Sequence, residues 1–239
     1  MDRWTRDVRE AFDQAQSEQS VFAVMQEATR WMGFEWCAFG FRFADSVVRP
    51  SFKLVNDYPA EWQQRYKQAG YLAKDPSIRC GLRSQLPFVW NDLLFAETPE
   101  LWREAQAVGL RYGWAKSHFH GMGAVSLLSL ARSSEPLTEA EFTSKALQLN
   151  WLALLSHEAF TRVLARTHAP NRQVKLTKRE IEVLQWAAEG KTNEDIATIL
   201  AIKGRTVKFH IENAVMKLGT SNRIAGVTRA LMMGLLSDS

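Results

Sequence analysis

Apolar positions along the chain set its first reading. Through residues 2–32, Val8, Phe12, Val21, Phe22, Met25 and Trp31 recur at near-helical spacing until Gly33, which predicts one helix. Two β-like runs follow, FEWCAFGFRF and PSFKLV. The segment NDYPAEWQQRYKQAG carries a Pro near a helix start and ends in Gly70, and a further helix is predicted over 98–108, closed by Gly109. Strands are predicted at 113–120 and 123–132, separated by HGMG, a tight-turn signal. The order α, β, β, α, α, β, β, α predicts an antiparallel sheet with helices on its faces, an α/β/α sandwich of the α+β class.

Residues 137–166 predict a long helix. Thr138 with Glu141 has the spacing of a capping box, and Leu137 with Phe142 that of a hydrophobic staple. The same device recurs at Thr177 with Glu180 and Leu176 with Ile181. Between these two starts lies THAPNRQVK, polar and poor in apolar residues, so the linker is set at 167–175. The expected domains are therefore 1–166 and 176–239.

The second domain predicts short amphipathic helices only. A helix over 178–189 places Ile181, Leu184 and Ala188 on one face, with Val183 and Trp186 beside it, and Gly190 ends it. Thr192 caps NEDIATIL, whose Ile196, Ile199 and Leu200 are expected to face inward. After a turn at Ala201 and Ile202, a helix over 204–217 buries Val207, Ile211, Val215 and Leu218 and turns Arg205, Lys208 and Glu212 elsewhere. A last helix, 222–235, shows Ile224, Val227, Leu231 and Leu235 at helical spacing, a surface suited in part to a second copy. This is the layout of a helix-turn-helix, in which a helix with cationic residues near its N-terminus reaches base edges and phosphates.

Charge agrees with that layout. The 239 residues carry a net charge of +4, and all of it lies beyond residue 170, where 11 Lys and Arg face 7 Asp and Glu. A basic excess confined to one end is expected where only that end approaches phosphates. Eight of nine Trp lie in the neutral part, implying a large apolar core with room for a lined pocket. Cys37 and Cys80 give no disulfide framework, and no signal-like or membrane-spanning run is evident. A soluble cytoplasmic protein without cofactor or metal is the expectation, with no membrane partner.

The segment LTKREIEVLQWAAEGKTNEDIATILAIKGRTVKFHIENAVMKLGTSNR resembles the C-terminal domain of LuxR-type transcription factors, through Glu180, Leu184, Gly190, Lys191, Thr192, Ile196, Ala197, Thr206, Val207, His210 and Leu218. Lys203 departs from the family, which often has Ser as the helix cap there; a cation opposes the helix dipole by about 0.3–1 kcal/mol. The resemblance implies that Lys191, Thr192, Lys203, Arg205, Thr206, Lys208, His210 and Lys217 meet double-stranded DNA.

The front of the chain resembles the autoinducer-binding domain of the quorum-sensing branch, through Tyr58, Trp62, Tyr66, Asp75-Pro76, Trp90, Gly113 and Ser129. Ser117 departs, standing where many relatives have Pro. The resemblance implies an N-acyl-homoserine lactone as ligand. Such a molecule has two carbonyls, an amide N–H and an apolar tail, and each polar group left unpaired in a pocket costs about 1–3 kcal/mol. The implied roles are Trp62 donating to the ring carbonyl, Asp75 accepting from the amide N–H, and Tyr58 with Ser129 donating to the amide carbonyl. Tyr66 and Trp90 wall the pocket, with Phe88, Trp102 and Leu127 near the tail. The family reading adds a homodimer on a palindromic site, paired partly through Trp151, Leu155 and His157, and RNA polymerase as a further partner.

Two alternatives stand beside it. An orphan regulator would keep the fold and answer another molecule or none. A lactone hydrolase would use His118 and His120, two apart on one strand, but no further metal ligands accompany them in sequence, and the chain is read as no enzyme.

Overall fold

The computed structural model describes residues 3–43, 50–120, 124–167 and 174–236, with the backbone alone at 120 and 165–167. The residues fall into two compact units, one carrying the sheet and one carrying the C-terminal helices. The HGMG turn and the linker expected at 167–175 lie for the most part outside the described residues.

The predicted helix over 2–32 is two helices, α1 (Arg3–Gln14) and α2 (Glu18–Trp31). Ser17 breaks it. Its hydroxyl accepts the Ser20 N–H at 3.1 Å, while the Ser20 hydroxyl accepts the Ser17 N–H at 3.0 Å, a reciprocal cap that restarts the helix. Apolar spacing ran through that break because both helices bury residues, Phe12 on α1 and Val21 and Met25 on α2.

The remaining elements of this unit are β1 (Trp36–Arg42), β2 (Phe52–Asn56), α3 (Ala60–Gln68), a single 3-10 turn at Tyr71–Ala73, α4 (Pro76–Gly81), β3 (Phe88–Val89), α5 (Pro99–Ala107), β4 (Tyr112–His120), β5 (Ala124–Arg132) and α6 (Glu139–Thr167). The five strands lie in the order β2-β1-β5-β4-β3. Strand β1 runs antiparallel to both neighbours, with Ala38 opposite Asn56 of β2 and Ser129 of β5. Strand β3 and helix α4 were not foreseen: two and six residues are too few to show a period.

Alternation along β5 divides the domain into two faces. Leu128 and Leu130 are buried, and Ser126 meets His157 of α6 at 2.8 Å. Val125, Leu127 and Ser129 point the other way, into a cavity. On the helical side Phe39 stacks on Phe160 with ring centroids 4.4 Å apart.

Helix α6 begins differently from expectation. Thr138 accepts the Glu141 N–H at 3.1 Å, but the Glu141 carboxylate does not return to the cap. It takes a two-pronged bond from buried Arg132, at 2.6 and 2.9 Å, and one from Lys145 at 2.7 Å. These cations hold its pKa down at about 2. A guanidinium fork matches a carboxylate better than one backbone N–H does, so the box is half made. His157, expected on an outward pairing face, is fully buried; among the described residues of this helix the large apolar side chain that is exposed is Leu147.

The second unit comprises α7 (Lys178–Ala188), α8 (Asn193–Ile199), α9 (Gly204–Lys217) and α10 (Arg223–Met232). Capping boxes at Thr177/Glu180 and Thr192/Asp195 start α7 and α8. The core is Val183, Leu184, Ile196, Val207, Ile211, Ala214 and Leu218. Ile199 is exposed rather than inward, since Ile196 and Leu200 already fill the turn's buried side, and Ile224 and Leu231 of α10 are also exposed. The α8–α9 turn passes through Ala201 at φ +53°, a left-handed position that reverses the chain tightly. Among the described residues no helix is long and apolar enough to cross a membrane.

Candidate ligand cavity and nucleic-acid interface

The front unit holds a cavity of about 480 Å³ between the sheet face of β1 and β5 and the helices α3, α4 and α5. Tyr58, Trp62, Tyr66, Asp75, Trp90 and Ser129 all line it, although they come from four separate stretches of chain. Leu127 and Trp102 line it as well; Phe88 does not.

Each polar group is placed by local structure. Asp75 is the N-cap of α4, followed by Pro76 at the first helical position, where a missing N–H costs nothing. Its Oδ1 accepts the Ser77 backbone N–H at 2.8 Å and the Ser77 hydroxyl at 2.6 Å. Its Oδ2 accepts the Tyr66 hydroxyl at 2.9 Å, so Tyr66 orients the carboxylate as well as walling the pocket. Loss of water pushes the Asp75 pKa up, while the three donors favour the charged form and oppose that rise. Burial raises Tyr58 and Tyr66 far above neutrality, so both remain donors. The Trp62 indole and the hydroxyls of Tyr58 and Ser129 bring three donors to the lining of the hollow.

Trp90 depends on Gly113. A Cβ on that glycine would lie 2.1 Å from Cδ2 of the indole, so the ring fits only against a bare strand. The Trp90 backbone N–H donates to the Gly113 carbonyl at 2.8 Å and fixes the approach. Behind it Phe95 stacks on Trp102 at 4.6 Å, and the Trp102 indole donates to Asp92 at 2.7 Å. Trp62, Tyr66 and Tyr71 form a second aromatic group with centroids 5.7–5.9 Å apart.

In the second unit Lys191, Lys203, Arg205 and Lys208 are exposed, with Thr206 and His210 half-buried at the start and middle of α9. Lys203 precedes α9 without a capping bond from its side chain. The exposed Thr192 hydroxyl is engaged by Asp195 at 2.8 Å. Lys217 does not join this group. Its ammonium bonds both oxygens of buried Glu180, at 2.7 and 2.8 Å, and that charge lowers the Glu180 pKa against the effect of burial. The exposed Phe209 and Met216 of α9 were not foreseen, because an apolar residue off the buried stripe carries no periodic signal.

Residues 17–160 match the autoinducer binding domain, and residues 174–230 match the bacterial regulatory proteins of the luxR family. The chain belongs to the LuxR family. The transcriptional activator SolR of Ralstonia nicotianae is 37% identical to it over 97% of this chain and 98% of that protein. The quorum-sensing regulator RhlR of Pseudomonas aeruginosa is 34% identical over 98% and 96%. The crystal structure of Escherichia coli SdiA superposes with a TM-score of 0.81 at 29% identity, covering 98% of both chains; SdiA has also been solved with octanoyl-rac-glycerol.

This LuxR-family protein is thus a quorum-sensing transcription factor with an autoinducer-binding domain and a helix-turn-helix that binds DNA. Its relatives are transcriptional regulators, which removes the hydrolase alternative. His118 in fact faces His157 of α6, ring centroids 4.2 Å apart, and the His120 side chain lies outside the described residues. Sequence reasoning also missed Ser77, Gly81 and Ser117 as lining residues; only Ser117 carried a signal, its departure from the family's Pro.

Proposed function

We propose that the protein is an N-acyl-homoserine lactone receptor that binds a two-fold symmetric promoter site as a homodimer. The observation that carries the reading is the set of polar groups around one apolar hollow: Trp62, Tyr58 and Ser129 as donors for carbonyls and the Asp75 carboxyl as acceptor for an N–H. That count matches an acyl-lactone, in which two carbonyls need donors and one amide needs an acceptor. Trp62 serves the ring carbonyl, Tyr58 and Ser129 the amide carbonyl, and Asp75 the amide N–H. The acyl tail covers the aliphatic and aromatic wall, at about 0.8 kcal/mol for each buried methylene.

The autoinducer domain spans 1–166 and the DNA-binding domain 176–239 in this reading. Lys191, Thr192, Lys203, Arg205, Thr206, Lys208 and His210 serve base edges and phosphates. Exposed Leu147 on α6 and Ile224 on α10 suit pairing with a second copy. Two reading helices then meet two half-sites about one helical turn apart.

A second reading has one observation behind it: octanoyl-rac-glycerol, an ester without an amide N–H, occupies SdiA. Isothermal titration of the full chain with octanoyl-homoserine lactone and with octanoylglycerol separates the two. Saturable binding of the lactone is expected, weakened at least tenfold by Asp75→Asn, a substitution that keeps a good N-cap. Binding of the ester alone, or a lactone isotherm indifferent to Asp75→Asn, would overturn the lactone assignment.

A further inference from the structure

We infer that the Ser117 hydroxyl reads an oxygen carried on the acyl chain, close to the amide, so that the cognate ligand has an oxo- or hydroxy-substituted chain. This rests on the acyl-lactone reading given above. Ser117 is fully buried on β4, lines the cavity, and its Oγ has no hydrogen-bond partner among the described residues. Gly81 and Leu127 approach it, and the cavity wall also carries the aliphatic Ile78, Leu82 and Val125. A plain alkyl chain laid against them leaves the hydroxyl unpaired, and burying a hydroxyl without a partner is unfavourable. A carbonyl oxygen accepts its proton, and a ligand hydroxyl either accepts or donates.

Gly81 supplies an independent observation. It ends α4 with an ordinary backbone, so no positive φ calls for a glycine there. What calls for it is space. A Cβ on Gly81 would sit 2.5 Å from Ser117 Oγ and 3.0 Å from a Leu127 methyl, so any side chain there would collide with the hydroxyl itself. Glycine is disfavoured in a helix relative to alanine, so admitting the Ser117 hydroxyl against this turn of α4 comes at a cost.

This packing also indicates where the oxygen belongs. Ser117 and Leu127 both approach the same point beside Gly81, and Leu127 precedes Ser129 by two residues on one face of β5, about 7 Å along the strand. Ser129 is assigned to the amide carbonyl. A substituent two carbons beyond that carbonyl comes within reach of Ser117, whereas one at the chain tip does not.

The test is isothermal titration of the full chain with three probes of equal length: octanoyl-, 3-oxooctanoyl- and 3-hydroxyoctanoyl-homoserine lactone. At least one oxygen-bearing probe should bind about tenfold tighter than the plain one. Ser117→Ala should erase that preference by weakening the oxygenated probe while leaving the plain probe unchanged or slightly improved. Equal affinities in the unaltered protein, or a uniform loss across the three in Ser117→Ala, would overturn the inference and leave the lactone reading standing. The first of these needs no variant, so a Ser117→Ala chain that fails to fold does not shield the proposal. Absence of binding by all three would instead remove the lactone reading and this inference with it.

Discussion

The two units solve the same problem of folding in opposite ways. In the C-terminal unit the polar devices close on themselves: both capping boxes are complete, and the buried Glu180 carboxylate is answered by Lys217. Val183, Leu184, Val207 and Ala214 are wholly excluded from water in a solid core. The front unit is hollow. It surrounds about 480 Å³ with aromatic rings and leaves the Ser117 hydroxyl and Trp90 indole buried without partners. A solid domain is stable by its own contacts, whereas a hollow one with unpaired donors gains from whatever fills it, by RT ln(1 + [L]/Kd). The difference teaches that the reader is built to be constant and the receptor to be completed.

Variants that disturb each half sharpen the contrast. Gly113→Ala should have the largest effect, since its methyl would lie 2.1 Å from the Trp90 ring and must expel it from the wall. Overpacking typically costs about 1–3 kcal/mol, and so close an approach puts this site at the upper end. Loss of the front unit's cooperative melt with DNA affinity retained is expected; an unchanged melt would contradict the packing described.

Glu141→Gln should destabilise the front unit by about 3 kcal/mol near neutral pH, following from a carboxylate held near 2 against an ordinary 4.5. The folded pKa is depressed, so this stability is present above about 4.5 and is lost as pH falls towards about 2. The gap between wild type and variant in denaturant melts should therefore close over that window. A gap independent of pH would mean that the Arg132–Glu141 pair contributes through packing alone.

Lys217→Ala should cost about 2 kcal/mol in the C-terminal unit, because it leaves a buried carboxylate without its cation; the figure is kept low because Lys217 is about one-third exposed. Lys208→Ala should leave that melt unchanged and lower the slope of log affinity for duplex against log salt by about 0.9. If Lys217→Ala instead lowers the salt slope with no loss of stability, Lys217 is a phosphate contact and its bond to Glu180 is incidental.

What was legible in the sequence follows the same division. The C-terminal helices announced themselves through local devices, Thr177 with Glu180 and Gly190 after the helix, and these form as expected. In the front unit the residues expected around the ligand, Phe88 excepted, do surround one cavity, read from a family pattern rather than from any period. What stayed hidden depends on contacts between distant residues. Glu141 had the spacing of a cap, but Arg132, nine residues upstream, takes its carboxylate. His157 fell on a helix face that looked outward and is buried against β5 through Ser126. Ser17 restarts a helix whose apolar spacing never faltered. Gly81 acquires its meaning only beside Ser117, 36 positions away in sequence and adjacent in space.

Hydrogen exchange of the full chain with and without saturating octanoyl-homoserine lactone addresses the contrast most directly. Amides of β1, β4, β5, α3 and α4 should exchange markedly more slowly with ligand present, while those in the cores of α7 and α9 stay as protected as before. Equal exchange around the cavity in both conditions would contradict a receptor completed by its ligand.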